Sequence, residues 1–164
     1  MSDIQNAFRL IGSLDLTSLS HDDTEEKIAA LCAKAVTPYG TTAAVCVYPE
    51  WVPLARKLLK KTPVKVATVV NFPAGGNDFK LMKDEIKKGL SGGADEIDAV
   101  FPYRDFLAGN TDSCRRFLDI IQRECGKHTS KIILETGELN HVSTIAAAVK
   151  LCLEYDIDFI KTST

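Results

Sequence analysis

Neither sign of charge dominates this 164-residue chain. Its 22 acidic and 20 basic residues leave a formal net charge of -2, so nothing draws it to nucleic acid or an anionic lipid surface, and any anion site has to be local. The start, Met1-Ser2-Asp3-Ile4-Gln5, lacks the basic stretch and apolar run of a secretion signal. No apolar run approaches the roughly 20 residues that a membrane span requires. Paired cysteines are also missing. Cys32, Cys46, Cys114, Cys125 and Cys152 are odd in number, widely spaced and free of any C-x-x-C unit. They read as reduced thiols, four of them on helical apolar stripes, in a reducing compartment, the cytoplasm. His21, His128 and His141 are scattered through polar segments and suggest no zinc site. Neither G-x-G-x-x-G nor G-x-x-x-x-G-K-[ST] occurs, which removes the usual signatures of dinucleotide and P-loop sites. There is no linker or low-complexity tract. With 45% hydrophobic and 26% charged residues, residues 1–164 read as one globular domain with one core.

What the chain does contain is a regular alternation of two periods. Nearly continuous apolar, β-branched runs cover residues 42–48, 64–72, 96–101, 131–136 and 158–163, as in strands buried on both faces of a parallel sheet. A shorter run, Leu14-Asp15-Leu16-Thr17, precedes them and makes six strands. Helical stripes lie between. Asp23-x-x-Glu26 has the form of a helix start with Asp23 as the cap, followed by Ile28, Leu31, Cys32 and Ala35. Pro49 suits a first helical position ahead of Trp51, Leu54, Ala55 and Leu58. Three further stripes follow: Phe79, Met82, Ile86 and Leu90, stopped by Gly92-Gly93; Cys114 to Ile121; and Val142 to Cys152. Residues 4–12 form a short leading helix. Strand and helix in strict alternation mean parallel strands joined by crossovers, either in an open doubly wound sheet or in a (β/α)8 barrel. Six strands would leave a barrel incomplete.

Sites in such folds lie at the C-terminal ends of the strands. Two residues there are charged within otherwise apolar strands: Asp98 in Ile97-Asp98-Ala99-Val100 and Lys161 in Phe159-Ile160-Lys161. A buried charge is costly unless paired. In a barrel the two would converge, giving a lysine able to attack a carbonyl beside a carboxylate able to move protons. A lysine at a strand end is more often a solvated terminus, and Asp98 serves equally well as a structural ion-pair partner. Asp15 and Glu135 read as hydrogen-bonding supports, Cys46 as packing. Gly75-Gly76-Asn77-Asp78 could cradle an anion, but such a cluster is more often a loop and helix start.

Six ordered strings then decide between these readings. Asp15-Leu16-Thr17, Ala44-Val45-Cys46-Val47-Tyr48-Pro49, Asn71-Phe72-Pro73-Ala74-Gly75-Gly76, Gly93-Ala94-Asp95-Glu96-Ile97-Asp98, Glu135-Thr136-Gly137-Glu138-Leu139 and Phe159-Ile160-Lys161-Thr162-Ser163-Thr164 resemble, collinearly over the whole chain, the deoxyribose-phosphate aldolases. The resemblance implies a class I aldolase on a TIM-type (β/α)8 barrel. Such an enzyme cleaves 2-deoxy-D-ribose 5-phosphate reversibly into acetaldehyde and D-glyceraldehyde 3-phosphate, without metal or organic cofactor, in cytoplasmic deoxynucleoside breakdown. It implies Lys161 as the Schiff-base lysine, Asp98 as the proton-relay acid and Asp15 as a supporting acid. Cys46 then lines the site, and Thr17, Leu19 and Phe72 shape the substrate pocket. The partners implied are small phosphorylated sugars and aldehydes, and a second copy in a homodimer. The family pattern continues beyond Thr164 into Gly-Lys and a later Gly-Phe-Lys-Pro-x-Gly-Gly segment with a second active-site lysine. This sequence therefore corresponds to the N-terminal two-thirds of the pattern, with strands 7 and 8 absent. The expectation is an incomplete barrel that self-associates or is completed by a separate C-terminal segment, and that turns over little by itself. The alternative is a naturally truncated binding or assembly module.

Overall fold

The computed structural model describes residues 3–164. Six parallel strands form one sheet in sequence order: β1 (Asp15–Thr17), β2 (Ala44–Val47), β3 (Lys65–Val70), β4 (Glu96–Val100), β5 (Thr129–Ile133) and β6 (Phe159–Lys161). The register runs Thr17 to Cys46, Cys46 to Ala67, Val69 to Asp98, Asp98 to Lys131 and Ile133 to Lys161. The sheet is curled, because Asp15 on the first strand lies 3.6 Å from the Lys161 amine on the last. Curling makes the two faces unequal, and the apolar residues form two clusters. The larger joins outward residues such as Val45, Val66, Ile97 and Ile132 to the helices. The smaller, Ala44, Cys46, Ala67 and Val69, lies inside the curl and packs against Leu19, Tyr48 and Phe72. Helices outside and a short-chain interior exclude the open doubly wound sheet and show the incomplete barrel that the sequence suggests.

Among the described residues eight α-helices connect or flank the strands: α1 (Asp3–Ile11), α2 (Glu25–Lys34), α3 (Val52–Leu59), α4 (Phe79–Gly92), α5 (Tyr103–Leu107), α6 (Thr111–Cys125), α7 (Thr136–Leu139) and α8 (Val142–Cys152). Their stripes are those read from the sequence, and their ends show why they stop. Thr24 rather than Asp23 caps α2, its hydroxyl accepting from the Lys27 N–H. Asp23 instead accepts from the Ser18 hydroxyl at 2.7 Å and the Ser20 N–H at 3.2 Å, which fixes the loop after β1. Pro49 opens a short 3-10 turn, Pro49–Trp51, that leads into α3. Asp78 caps α4 through the Leu81 N–H, and Gly93 ends it with φ near +101°, a conformation side chains resist. Within α4, a Cβ on Gly89 would come 2.7 Å from the Thr68 methyl, so the glycine sets how closely this helix lies on β3.

The strands are shorter than their apolar runs, except that β5 starts at Thr129, two residues before the run read as strand. Helices α5 and α7, and a small hairpin pairing Val36–Thr37 with Gly40–Thr41, have no counterpart in the sequence reading. All five cysteines are free and buried. No helix among the described residues is long and apolar enough to cross a membrane.

Candidate active site

A cavity of about 310 Å³ opens at the C-terminal ends of the strands. Its wall includes Asp15, Thr17, Leu19, Cys46, Phe72 and Lys161, together with Val69, Ile133, Ser163 and Thr164. Six of the residues singled out by sequence thus meet at one place, and the seventh, Asp98, lies fully buried beneath it. Each is brought there by strand periodicity: Asp15 and Thr17 on β1, Cys46 on β2, Asp98 on β4 and Lys161 on β6 occupy the inward rows of the register. Loops supply the rest. The Ser18 N–H donates to the Cys46 carbonyl at 3.0 Å and holds the segment bearing Leu19 over β2. Asn71 organises the loop after β3. Its amide donates to the carbonyls of Gly76 and Val100, both at 2.9 Å, and accepts from the Gly76 N–H, which fixes the position of Phe72.

The floor of the cavity is ionic. The Lys161 ammonium donates to Asp98 Oδ2. Behind it lies Lys131, which the sequence reading passed over. Its Nζ is 2.6 Å from Asp15 Oδ2, 2.7 Å from Glu96 Oε2 and 3.5 Å from Asp98 Oδ1. Three carboxylates thus surround two ammonium groups, leaving one formal negative charge in excess. The Lys131–Asp98 approach lies within ion-pair range but outside hydrogen-bond geometry, so Asp98 Oδ1 has no hydrogen-bond partner among the described residues. It is a buried acceptor still open to a donor.

Burial pulls the Lys131 pKa down, but the Asp98 charge and the hydrogen bonds to Asp15 and Glu96 outweigh it and hold the amine above the ordinary lysine range. Lys161 follows the same pattern: burial lowers it, while the charge and hydrogen bond of Asp98 raise it further than that, for a net upward shift. Burial, then the Asp98 charge, pushes the Cys46 thiol up strongly, so Cys46 packs as a neutral thiol. Glu135 supports the rim, its carboxylate accepting from the Thr164 N–H at 3.0 Å. The 75–78 segment serves as loop and helix cap, with the Asp78 carboxylate itself occupying the α4 terminus. No group of three or more His, Cys, Asp or Glu among the described residues is arranged to hold a metal ion.

A lysine and a carboxylate thus meet at the mouth of an incomplete α/β barrel, an arrangement that suits amine chemistry on a carbonyl as well as a structural ion pair. The chain belongs to the DeoC/LacD family aldolases, whose family model matches residues 9–164. Three solved structures are similar to it. A protein assigned as a deoxyribose-phosphate aldolase from Coccidioides immitis is 30% identical with a TM-score of 0.90, over 96% of this chain and 61% of that one. An aldolase designated QR15 is 32% identical with a TM-score of 0.87, over 100% of this chain and 69% of that one. The tetrameric deoxyribose phosphate aldolase of Aeropyrum pernix is 25% identical with a TM-score of 0.78, over 95% and 64%. The chain therefore spans about two-thirds of the length of these relatives.

Proposed function

We propose that this chain carries the Schiff-base half of a deoxyribose-phosphate aldolase, which interconverts 2-deoxy-D-ribose 5-phosphate with acetaldehyde and D-glyceraldehyde 3-phosphate, with residues 1–164 acting as one domain in the cytoplasm. The observation that carries this reading is the contact between Lys161, 29% exposed at the cavity, and the fully buried Asp98. In the synthetic direction the neutral Lys161 amine attacks the acetaldehyde carbonyl carbon. The carbinolamine loses water to give the iminium, and the Asp98 carboxylate, acting through a water, takes a proton from the adjacent carbon to give the enamine. The enamine adds to the second aldehyde while that proton goes to the new alkoxide, and water hydrolyses the resulting iminium to free Lys161. Asp98 takes the ammonium proton and returns it to the departing hydroxyl, its open Oδ1 being suited to hold the water through which the proton moves. Asp15 and Lys131 position Asp98. Thr17, Leu19 and Phe72 form the wall that orients the aldehyde, and Cys46 fills the interior behind it.

Among the described residues Lys161 is the only lysine or arginine on the cavity wall, so the support is for the lysine chemistry rather than for a complete phosphate site. The raised Lys161 pKa makes the free amine scarce at neutral pH. Hydride trapping with acetaldehyde, read by intact and peptide mass spectrometry, tests the reading. A single ethyl adduct on Lys161 that is absent from Lys161→Met is expected. Labelling spread over surface lysines, with none on Lys161, overturns it.

A further inference from the structure

A second cavity, of about 240 Å³, opens on the same face of the barrel and is not used by the chemistry above. His21, Tyr48, Trp51 and Phe72 line it, together with the carboxylates Asp23 and Glu50. Phe72 also lines the Lys161 cavity, so the two spaces adjoin at this residue. The aromatic groups are ordered against each other. His21 stacks on Tyr48, with centroids 6.1 Å apart and planes at 18°, and Tyr48 meets Phe72 edge-on at 5.9 Å and 76°. Tyr48, Trp51 and Phe72 are each half-buried, leaving apolar ring surface open to the cavity. No lysine or arginine among the described residues lines it. Burial and the charges of Glu50 and Asp23 together raise the Tyr48 phenol, a sign that both carboxylates act on this wall.

We propose that this side pocket binds a flat aromatic group that is neutral or cationic and excludes an anionic one. Ring faces accept a stacked or edge-on ring and attract a cation, while Glu50 and Asp23 repel a carboxylate or phosphate. Clefts for drug-sized ligands run to roughly 300–1,000 Å³; this one suits a single ring on a short arm. Taken with the Lys161 reading, on which this extension rests, the pocket receives the far end of an aryl aldehyde whose carbonyl lies at Lys161. The phosphate of a sugar phosphate must then lie away from this wall.

Trp51 is the only tryptophan in the chain and reports the pocket directly. The full chain is titrated with benzylamine, benzyl alcohol and benzoate while Trp51 fluorescence is recorded. Saturable changes with the first two, at least tenfold weaker with benzoate, are expected. Tyr48→Ala should weaken both, and Glu50→Gln should shrink the gap between benzylamine and benzoate. No saturable change, equal binding of benzoate, or a response insensitive to Tyr48→Ala overturns the proposal. Trapping keeps the two readings apart. Acetaldehyde adducts on Lys161 with a silent Trp51 overturn the pocket alone. A responding Trp51 without any Lys161 adduct supports the pocket and overturns the aldolase reading.

Discussion

The middle and the margins of the sheet are built from similar residues and end in different environments. Every residue of β2 is buried, as are Ile97 to Val100 in β4 and Ser130 to Ile133 in β5. In β6, by contrast, Phe159 is 58% exposed and Ile160 is 37% exposed. Leu14, next to β1, is also exposed, and a cavity of about 340 Å³ lies between the two margins, reached by Gly12 and Ser13 on one side and Phe159 and Ile160 on the other. A strand with a neighbour on each side loses both flanks to backbone pairing and both faces to packing, whereas a marginal strand keeps one flank open. The two lysines divide in the same way. Lys131, in the middle, is enclosed by three carboxylates; Lys161, at the margin, contacts Asp98 and remains accessible. A fixed charge and a reachable amine follow from strand position alone.

The largest effects should come from the middle. Lys131→Met leaves Asp15, Glu96 and Asp98 facing one another with a single remaining cation, and removal of one partner from a buried ion pair costs about 3–5 kcal/mol. Lys161→Met should lower the urea midpoint by much less. Equal losses would mean that marginal position does not matter. Phe101, fully buried and edge-on to Phe106 and Phe117, should cost about 3–5 kcal/mol as Phe101→Ala. Ile160→Ala, from a side chain already partly in water, should cost only about 1 kcal/mol.

The pH response is a third way to sharpen the contrast. Both lysines titrate above the ordinary 10.5 in the folded chain, so their contribution to stability is fully present below that value and is lost as pH rises through the higher folded values. Thermal scans should show destabilisation beginning near pH 9.0, where the five buried thiols, all raised by burial, start to ionise in the unfolded chain, and steepening above pH 10.5 as the two lysines add to it. The rate of hydride trapping at Lys161 should still be climbing there, and Asp98→Asn, which removes the main upward influence, should move that climb to lower pH. A trapping rate already flat at pH 8 would contradict the assigned direction. Smaller again are the helix caps. Thr24→Ala and Asp78→Ala should each cost about 1 kcal/mol in the same denaturation assay. Least is expected of Phe159→Lys, which should leave the unfolding midpoint in place and reduce self-association in sedimentation, since it charges an open margin without removing a packed group.

The fold was legible because strands buried on both faces read as unbroken apolar runs and helices as stripes, two signals that survive without any tertiary information. Asp98 and Lys161 stood out as charges inside such runs. Lys131 does not stand out, because the apolar run begins with it and a lysine at a strand start reads as solvated. Its signal was present all the same: Lys131 shares the inward row with Ile133 and lies directly opposite Asp98 in the register, a relation visible only once the strands are aligned. Glu96 was hidden in the same way at the start of β4. Helices α5 and α7 are too short to show a period, and Thr24 displaced Asp23 as a cap because the aspartate is held by Ser18 and Ser20.

The two aspartates that precede β4 and β6 repeat one device. Asp95 donates its N–H to the Val66 carbonyl and accepts the Val66 N–H on its carboxylate; Asp158 does the same with both backbone groups of Ser130. Each aspartate ties its own strand to the preceding one, so β3–β4 and β5–β6 are matching two-strand modules. Counting three residues onward from each aspartate leads to Asp98 in the first module and to Lys161 in the second. The acid and the amine of the candidate site are the same position written twice, and a barrel assembled by copying such a module would have needed one change of side chain to set opposite charges face to face.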